Sequence, residues 1–413
     1  MIFYLLMLAF RFFLDASYFL FVNPVFGYSG FSLGFSGVTY GLSWLIYLVS
    51  LPVLRARIFV ISDYFFITFV LFVIAPITSL YGLTGWSVRP VVVTVFSFFL
   101  LFFIVKSSRV KVPYFPVVRQ GNNLAIFISS GMMLFLVVWY FISGASFNLN
   151  FASVYDFRAE NAELSSGGIL AYTNNWTYKI FSIFFISYFL WKKNWFLVVL
   201  GCLAQVVFYG YSAHKSVLFS LLLIFGIWFW FGRSDKAYVL PLGLIFVFCG
   251  GLFFYFALDH LVLGSMLIRR VFYIPAYLTY QYFDFFSSNQ FVYWSNSFLS
   301  GFVDYPYDLS ISMTIGQYEG SGGGANNGYI SSGYAHFGYW GVFIYTVIFA
   351  LVLRFLDVVT KNSGVLWLGL AISIVPLRDA LISSDLLTTL LTHGLIVIIF
   401  LVLLIKKNPA YEN

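Results

Sequence analysis

The sequence predicts an all-α polytopic membrane protein, and three observations carry that prediction. Of the 413 residues, 61% are hydrophobic and only 9% are charged, and the mean hydropathy is +0.93; soluble domains carry about 25% charged residues. The apolar residues fall in runs of about 20, the length a helix needs to cross a hydrocarbon core. The basic residues concentrate in every second break between these runs. No segment is large enough to stand alone as a soluble domain, so residues 1–413 read as a single integral membrane domain.

Taken in order, the runs give about 12 transmembrane helices, near 2–22, 35–54, 58–79, 88–105, 123–144, 172–191, 195–211, 216–232, 237–257, 336–356, 364–383 and 386–405. The first carries Arg11 and Asp15 and lacks a small-residue cleavage site, so it reads as a retained span. Spaced four apart, these two charges are expected to pair on one helix face. Alternate breaks then hold Arg55 and Arg57; Lys106, Arg109, Lys111 and Arg119; Lys192 and Lys193; Arg233 and Lys236; Arg354 and Lys361; Lys406 and Lys407. Lysine and arginine are retained on the cytoplasmic side, so these breaks and both termini are expected there. Two segments on the other side are long, 145–171 and 258–335, and long loops commonly carry function.

Several function classes recede on the same grounds. The net charge of +7 is spread over the breaks rather than gathered into a nucleic-acid patch. Cys202 and Cys249 sit in apolar runs without metal-ligand spacing. No nucleotide-binding loop occurs, and no DxD motif that would clamp a metal and a diphosphate. The two halves show no inverted repeat of the kind that transporters use.

The informative cations are those outside the basic breaks. In "VYDFRAENAELSSGG", Arg158 lies among Asp156, Glu160 and Glu163; in "RRVFYIP", Arg269 and Arg270 have no carboxylate near in sequence. Arg378 stands beside Asp379 at the outer part of the eleventh span, His214 and Lys215 form the "GYSAHKS" turn, and Lys179 is expected to snorkel to the interface. Arginine suits phosphate, because its planar fork donates two parallel hydrogen bonds. Each cation could instead pair with a neighbouring acid. The second long loop is dense in rings, Tyr273 among them. Residues 271–286 fit a helix lying on the membrane surface, and tyrosine faces also stack on sugars. The glycine-rich "YEGSGGGANNGYISSGYAHFGYWG" reads as a mobile or tightly turned lead into the tenth span, with Asn327 and His336 as candidate polar groups.

These features, "YDFR", "GYSAHKS", "RRVFYIP" and "NNGYISSGYAHFGYWG" on a twelve-span frame, resemble the Wzy-type O-antigen polymerases, the oligosaccharide repeat-unit polymerase family. The resemblance implies a GT-C-like membrane glycosyltransferase of lipopolysaccharide biosynthesis in the inner membrane of a Gram-negative bacterium, its long loops periplasmic. It would act on undecaprenyl-diphosphate-linked oligosaccharides, without a cofactor or metal. Its partners would be membrane lipid and a polysaccharide chain-length regulator, with no nucleic acid. Arg158, Glu160, Arg269, Arg270 and Arg378 are the expected catalytic group. Asp156, His214, Lys215, Tyr273, Asn327 and His336 are the expected substrate contacts. The related O-antigen ligases have a histidine where Asn326–Asn327 stands here, a departure that leaves the general base unassigned. A lipid-linked glycan flippase and an O-antigen ligase are the alternatives.

Overall fold

The structure is a computed structural model that describes residues 1–107, 109–112, 118–150, 168–212, 214–363 and 366–405. Among these residues the regular elements are helical, and the one β contact is an isolated bridge between Arg57 and Lys236. The helices are α1 (Ile2–Ser29), α2 (Gly37–Ser50), α3 (Ile61–Thr84), α4 (Arg89–Lys106), α5 (Gly121–Ile142), α6 (170–191), α7 (Trp195–Ser212) and α8 (Lys215–Phe231). They continue as α9 (Val239–Leu258), α10 (Leu261–Ser288), α11 (Ile311–Tyr318), α12 (Tyr329–Ser363), α13 (Leu366–Ile382), α14 (Leu386–Leu391) and α15 (Leu395–Leu404). Among the described residues nine helices are long and apolar enough to cross a membrane, counting α14 and α15 as one. Each apolar run read from the sequence contains a helix.

One end of the bundle is a cationic seam. Lys106 Nζ lies 2.7 Å from Asp63 Oδ1, Arg55 lies 3.8 Å from the same oxygen, and Arg57 lies 3.7 Å from Asp235. The backbone N–H of Ile58 donates to Asp235 O, and Ser62 donates twice to Asp357, between Arg354 and Lys361. Breaks that alternate in the sequence therefore meet at one end. Asp63 also accepts from the Phe59 and Val60 amides, which starts α3 with a negative charge at the positive end of its dipole.

α10 departs from the expected surface-lying helix. Gly251 of α9 packs on Ile268, Phe272 stacks on Phe72 of α3, and the Tyr273 hydroxyl donates to Leu14 O in α1. Its rings face protein rather than lipid headgroups: Phe272, Tyr273, Tyr280 and Tyr282 are all buried. The cause is a pair of buried charges. Arg11 and Asp15 do pair, as their spacing predicts, and both are enclosed. Asp15 accepts from Tyr40 and Ser79, Arg11 donates to Ser43, and Tyr273 lies 3.4 Å from Ser79. A charge pair inside the bundle needs such partners, and α10 closes the polar layer from one side.

The glycine-rich lead turns tightly, as expected, with Gly320, Gly322 and Gly338 at positive φ, but part of it is helical. It is helical from Tyr329, and the chain reverses at Phe337–Gly338, where Gly338 takes φ 59° and ψ −137°. The arm 329–336 then packs back along the rest of α12. Tyr329 is fully buried, its ring 5.2 Å from Phe349, and its hydroxyl shares Ser97 of α4 with Thr346. The tenth span thus carries a re-entrant arm, whose start meets α10 through Asn327.

Candidate functional site: a cationic chamber fed by an apolar groove

Three irregularities converge on one chamber. α6 takes a π-helical turn over Thr177–Phe181, which contains Lys179; such bulges are often placed at functional sites. Pro376 lies inside α13 just before Arg378 and Asp379. The last span breaks between Leu391 and Leu395, with Gly394 at φ 75°. A side chain at Gly394 would strike Ile180 and Trp176, so only glycine lets the break approach α6. The Leu391 carbonyl accepts from both the Gly394 amide and the Trp176 indole.

The break delivers His393 to Asp379. Nδ1 of His393 and Nζ of Lys179 lie 3.0 and 3.3 Å from Asp379 Oδ2; Arg378 lies 3.8 Å from Oδ1, and Ser383 donates to Oδ1 at 3.2 Å. Asp379 is buried. The chamber has a volume of about 490 Å³, and Asn175, His214 and Asn326 also line it. Lys179 and the single lining carboxylate of Asp379 face it together with two histidines, and Arg378 lies behind that carboxylate. Counting Lys179 and Arg378 against Asp379, the formal charge is one positive unit in excess, which favours an anion. The His214 turn joins α7 to α8, and α8 ends beside the cationic seam, so the chamber lies toward the opposite end of the bundle.

Next to it runs an apolar groove in two parts, of about 420 and 360 Å³, both lined by Tyr64, Thr68, Phe72 and Leu223. It extends from Trp230 and Val239, near the cationic seam, along α3 and α8 to Arg378. Ser216 lines both the groove and the chamber. Arg378, more than half exposed, stands at the groove's upper end.

The candidates from the sequence are placed as follows. His214 lines the chamber and Arg378 the groove, whereas Lys215 at the start of α8 lines neither. Asn327 is turned into the protein, donating to Pro275 O, Thr279 and Ser331, while its neighbour Asn326 lines the chamber. His336 is buried, with Nδ1 accepting from the Trp294 amide and Nε2 3.5 Å from Asp385, whose carboxylate caps α14. Tyr273 closes the Arg11 layer. Arg269 rests on Phe26, its guanidinium 4.4 Å from the ring centroid, and Arg270 is exposed; neither lines the chamber. Asp156, Arg158, Glu160 and Glu163 lie outside the described residues. Lys179 pairs with Asp379 instead of snorkelling. His393 was missed altogether, although "LLTTLLTHGLIV" puts an ionisable residue before a glycine inside an apolar run, itself a signal of function.

Fold and chamber together define a polytopic, all-α membrane protein with a charged cavity inside its bundle. No family model matches the chain, and neither a curated protein nor a solved structure matches it.

Proposed function

We propose that the chain is an O-antigen-type polymerase, joining undecaprenyl-diphosphate-linked oligosaccharide repeat units at the periplasmic face of the inner membrane. The observation that carries this reading is the meeting of the apolar groove with the cationic chamber at Ser216, with Arg378 on the groove side. A polyprenyl chain needs the first and a diphosphate the second. With the cationic seam cytoplasmic, the chamber lies toward the periplasm, where repeat units are presented.

In this reading an acceptor sugar hydroxyl attacks the anomeric carbon of the donor. The bond from that carbon to the diphosphate oxygen breaks, and the diphosphate leaves on its lipid. Lys179 and Arg378 stabilise the charge that develops on the leaving oxygen; loss of one such donor typically costs about 3–4 kcal/mol of barrier. Nδ1 of His393 faces the Asp379 carboxylate at 3.0 Å, which leaves Nε2 to take the proton of the attacking hydroxyl. A positioned base of this kind contributes roughly 10²–10⁴-fold.

The test is a lipopolysaccharide gel from a strain lacking the gene, complemented with wild type or His393→Gln. Core bearing one repeat unit without a ladder is expected for the deletion and for His393→Gln, and a full ladder for wild type. Bare core in the deletion strain would sink the polymerase reading in favour of a ligase or a flippase. Those two separate by whether lipid-linked polymer accumulates outside the membrane.

A further inference from the structure

A second cavity of about 380 Å³ opens at the end of the bundle opposite the cationic seam, between the α3–α4 connection, α10 and the tip of the α12 hairpin. It shares no lining residue with the chamber or the groove. Its walls are aromatic. Tyr334 is buried and stacked on Phe283, with ring centroids 3.9 Å apart and planes within 10°. Tyr339 stands edge-on to Tyr334 at 5.4 Å and is 56% exposed, and Trp86 is held edge-on to Tyr280 at 5.0 Å. Between these rings lie planar polar groups. Gln281 is half-buried and makes no side-chain hydrogen bond among the described residues. Arg89, at the start of α4, meets no carboxylate among them. The Asp284 carboxylate accepts from Tyr318 at 2.6 Å, a bond that raises the affinity of that phenol for its proton.

We infer that this cavity is a saccharide-binding subsite, separate from the chamber, that holds the glycan chain. Rigid ring faces suit the C–H faces of a pyranose, and an amide, a guanidinium and a carboxylate offer donors and acceptors to its hydroxyls. The volume is in the range of small-molecule sites, about 300–1,000 Å³. A lipid phosphate fits less well, because the Asp284 carboxylate lines the same cavity as Arg89. An interfacial tyrosine belt would turn its rings to lipid, whereas Tyr334 is spent on building a wall. A chain held here stays beside the chamber between transfers, so the subsite favours long products. The identity of the sugar rests on the polymerase reading; the existence of the subsite does not.

The experiment uses the full chain in lipid nanodiscs and glycan released by mild acid from the surface of the producing strain, followed by saturation-transfer NMR. Saturable binding is expected for wild type and, unchanged, for Gly131→Ala, on an exposed face of α5. Tyr339→Ala and Arg89→Gln, both at exposed positions, should each weaken it about tenfold, near 1.4 kcal/mol. In cells both variants should make a ladder of shorter chains. Wild-type protein without saturable binding, equal binding by the variants, or displacement of the glycan by inorganic phosphate alone would each overturn the subsite. A full ladder from His393→Gln would instead overturn the chamber's assignment, leaving the binding result to stand.

Discussion

Asp379 shows how one side chain can serve stability and chemistry at once. Buried and within 3.3 Å of both Lys179 and His393, it makes the lysine tolerable inside the bundle and positions the imidazole. Removing one partner of a buried pair leaves an uncompensated charge, at a cost of about 3–5 kcal/mol, whereas replacing both with apolar groups is often neutral. Lys179→Ala should therefore lower the melting temperature in detergent, and Lys179→Met with Asp379→Leu should recover most of it. Both variants should fail to build a ladder. If the double variant recovers activity with stability, the pair has no chemical role. Asp379 was visible in the sequence only as a neighbour of Arg378. Nothing in linear order links it to residues 179 and 393.

At the scale of elements, the breaks matter more than the helices. The bulge in α6 and the break before α15 each interrupt an apolar run whose hydropathy alone reads as continuous, and the α12 hairpin folds the glycine-rich lead back on the tenth span. Gly338 sits in a conformation that residues with a Cβ rarely adopt, a strain of about 1–3 kcal/mol for any replacement. Gly338→Ala should lower thermal stability and disturb both the saccharide subsite and the Asn326 edge of the chamber. Gly131→Ala, on an exposed face of α5 with nothing within 4 Å of its Cβ, should leave the melt unchanged. Identical melts for the two would mean that the reversal at Gly338 carries no strain. The glycine run did announce a tight turn, but its direction depends on Tyr329 reaching Ser97, a contact 232 residues distant in sequence.

For the whole molecule, the meeting of Arg55, Arg57, Lys106 and Lys236 at one end makes orientation a single testable property. With Cys202 and Cys249 replaced by serine, Asn289→Cys should react with a membrane-impermeant maleimide in intact spheroplasts. Arg109→Cys should react only after lysis. The reverse pattern would invert the chain and place the chamber toward the cytoplasm, ending the periplasmic polymerase reading.

The sequence by itself determined the membrane class, the helical character of the apolar runs and the clustering of basic breaks, because these follow from the local cost of placing polar groups in hydrocarbon. The Arg11–Asp15 pair was legible for the same reason, being one turn apart on one helix. Only the tertiary structure decided that α10 lies within the bundle, that Tyr273 and His336 are enclosed, and that Asp379, Lys179 and His393 share a chamber. Such contacts join segments from 42 to 259 residues apart or, for Asp379 and His393, α13 and the break before α15. Their energies come from burying charge and fitting rings among many helices at once. No window of sequence contains that information.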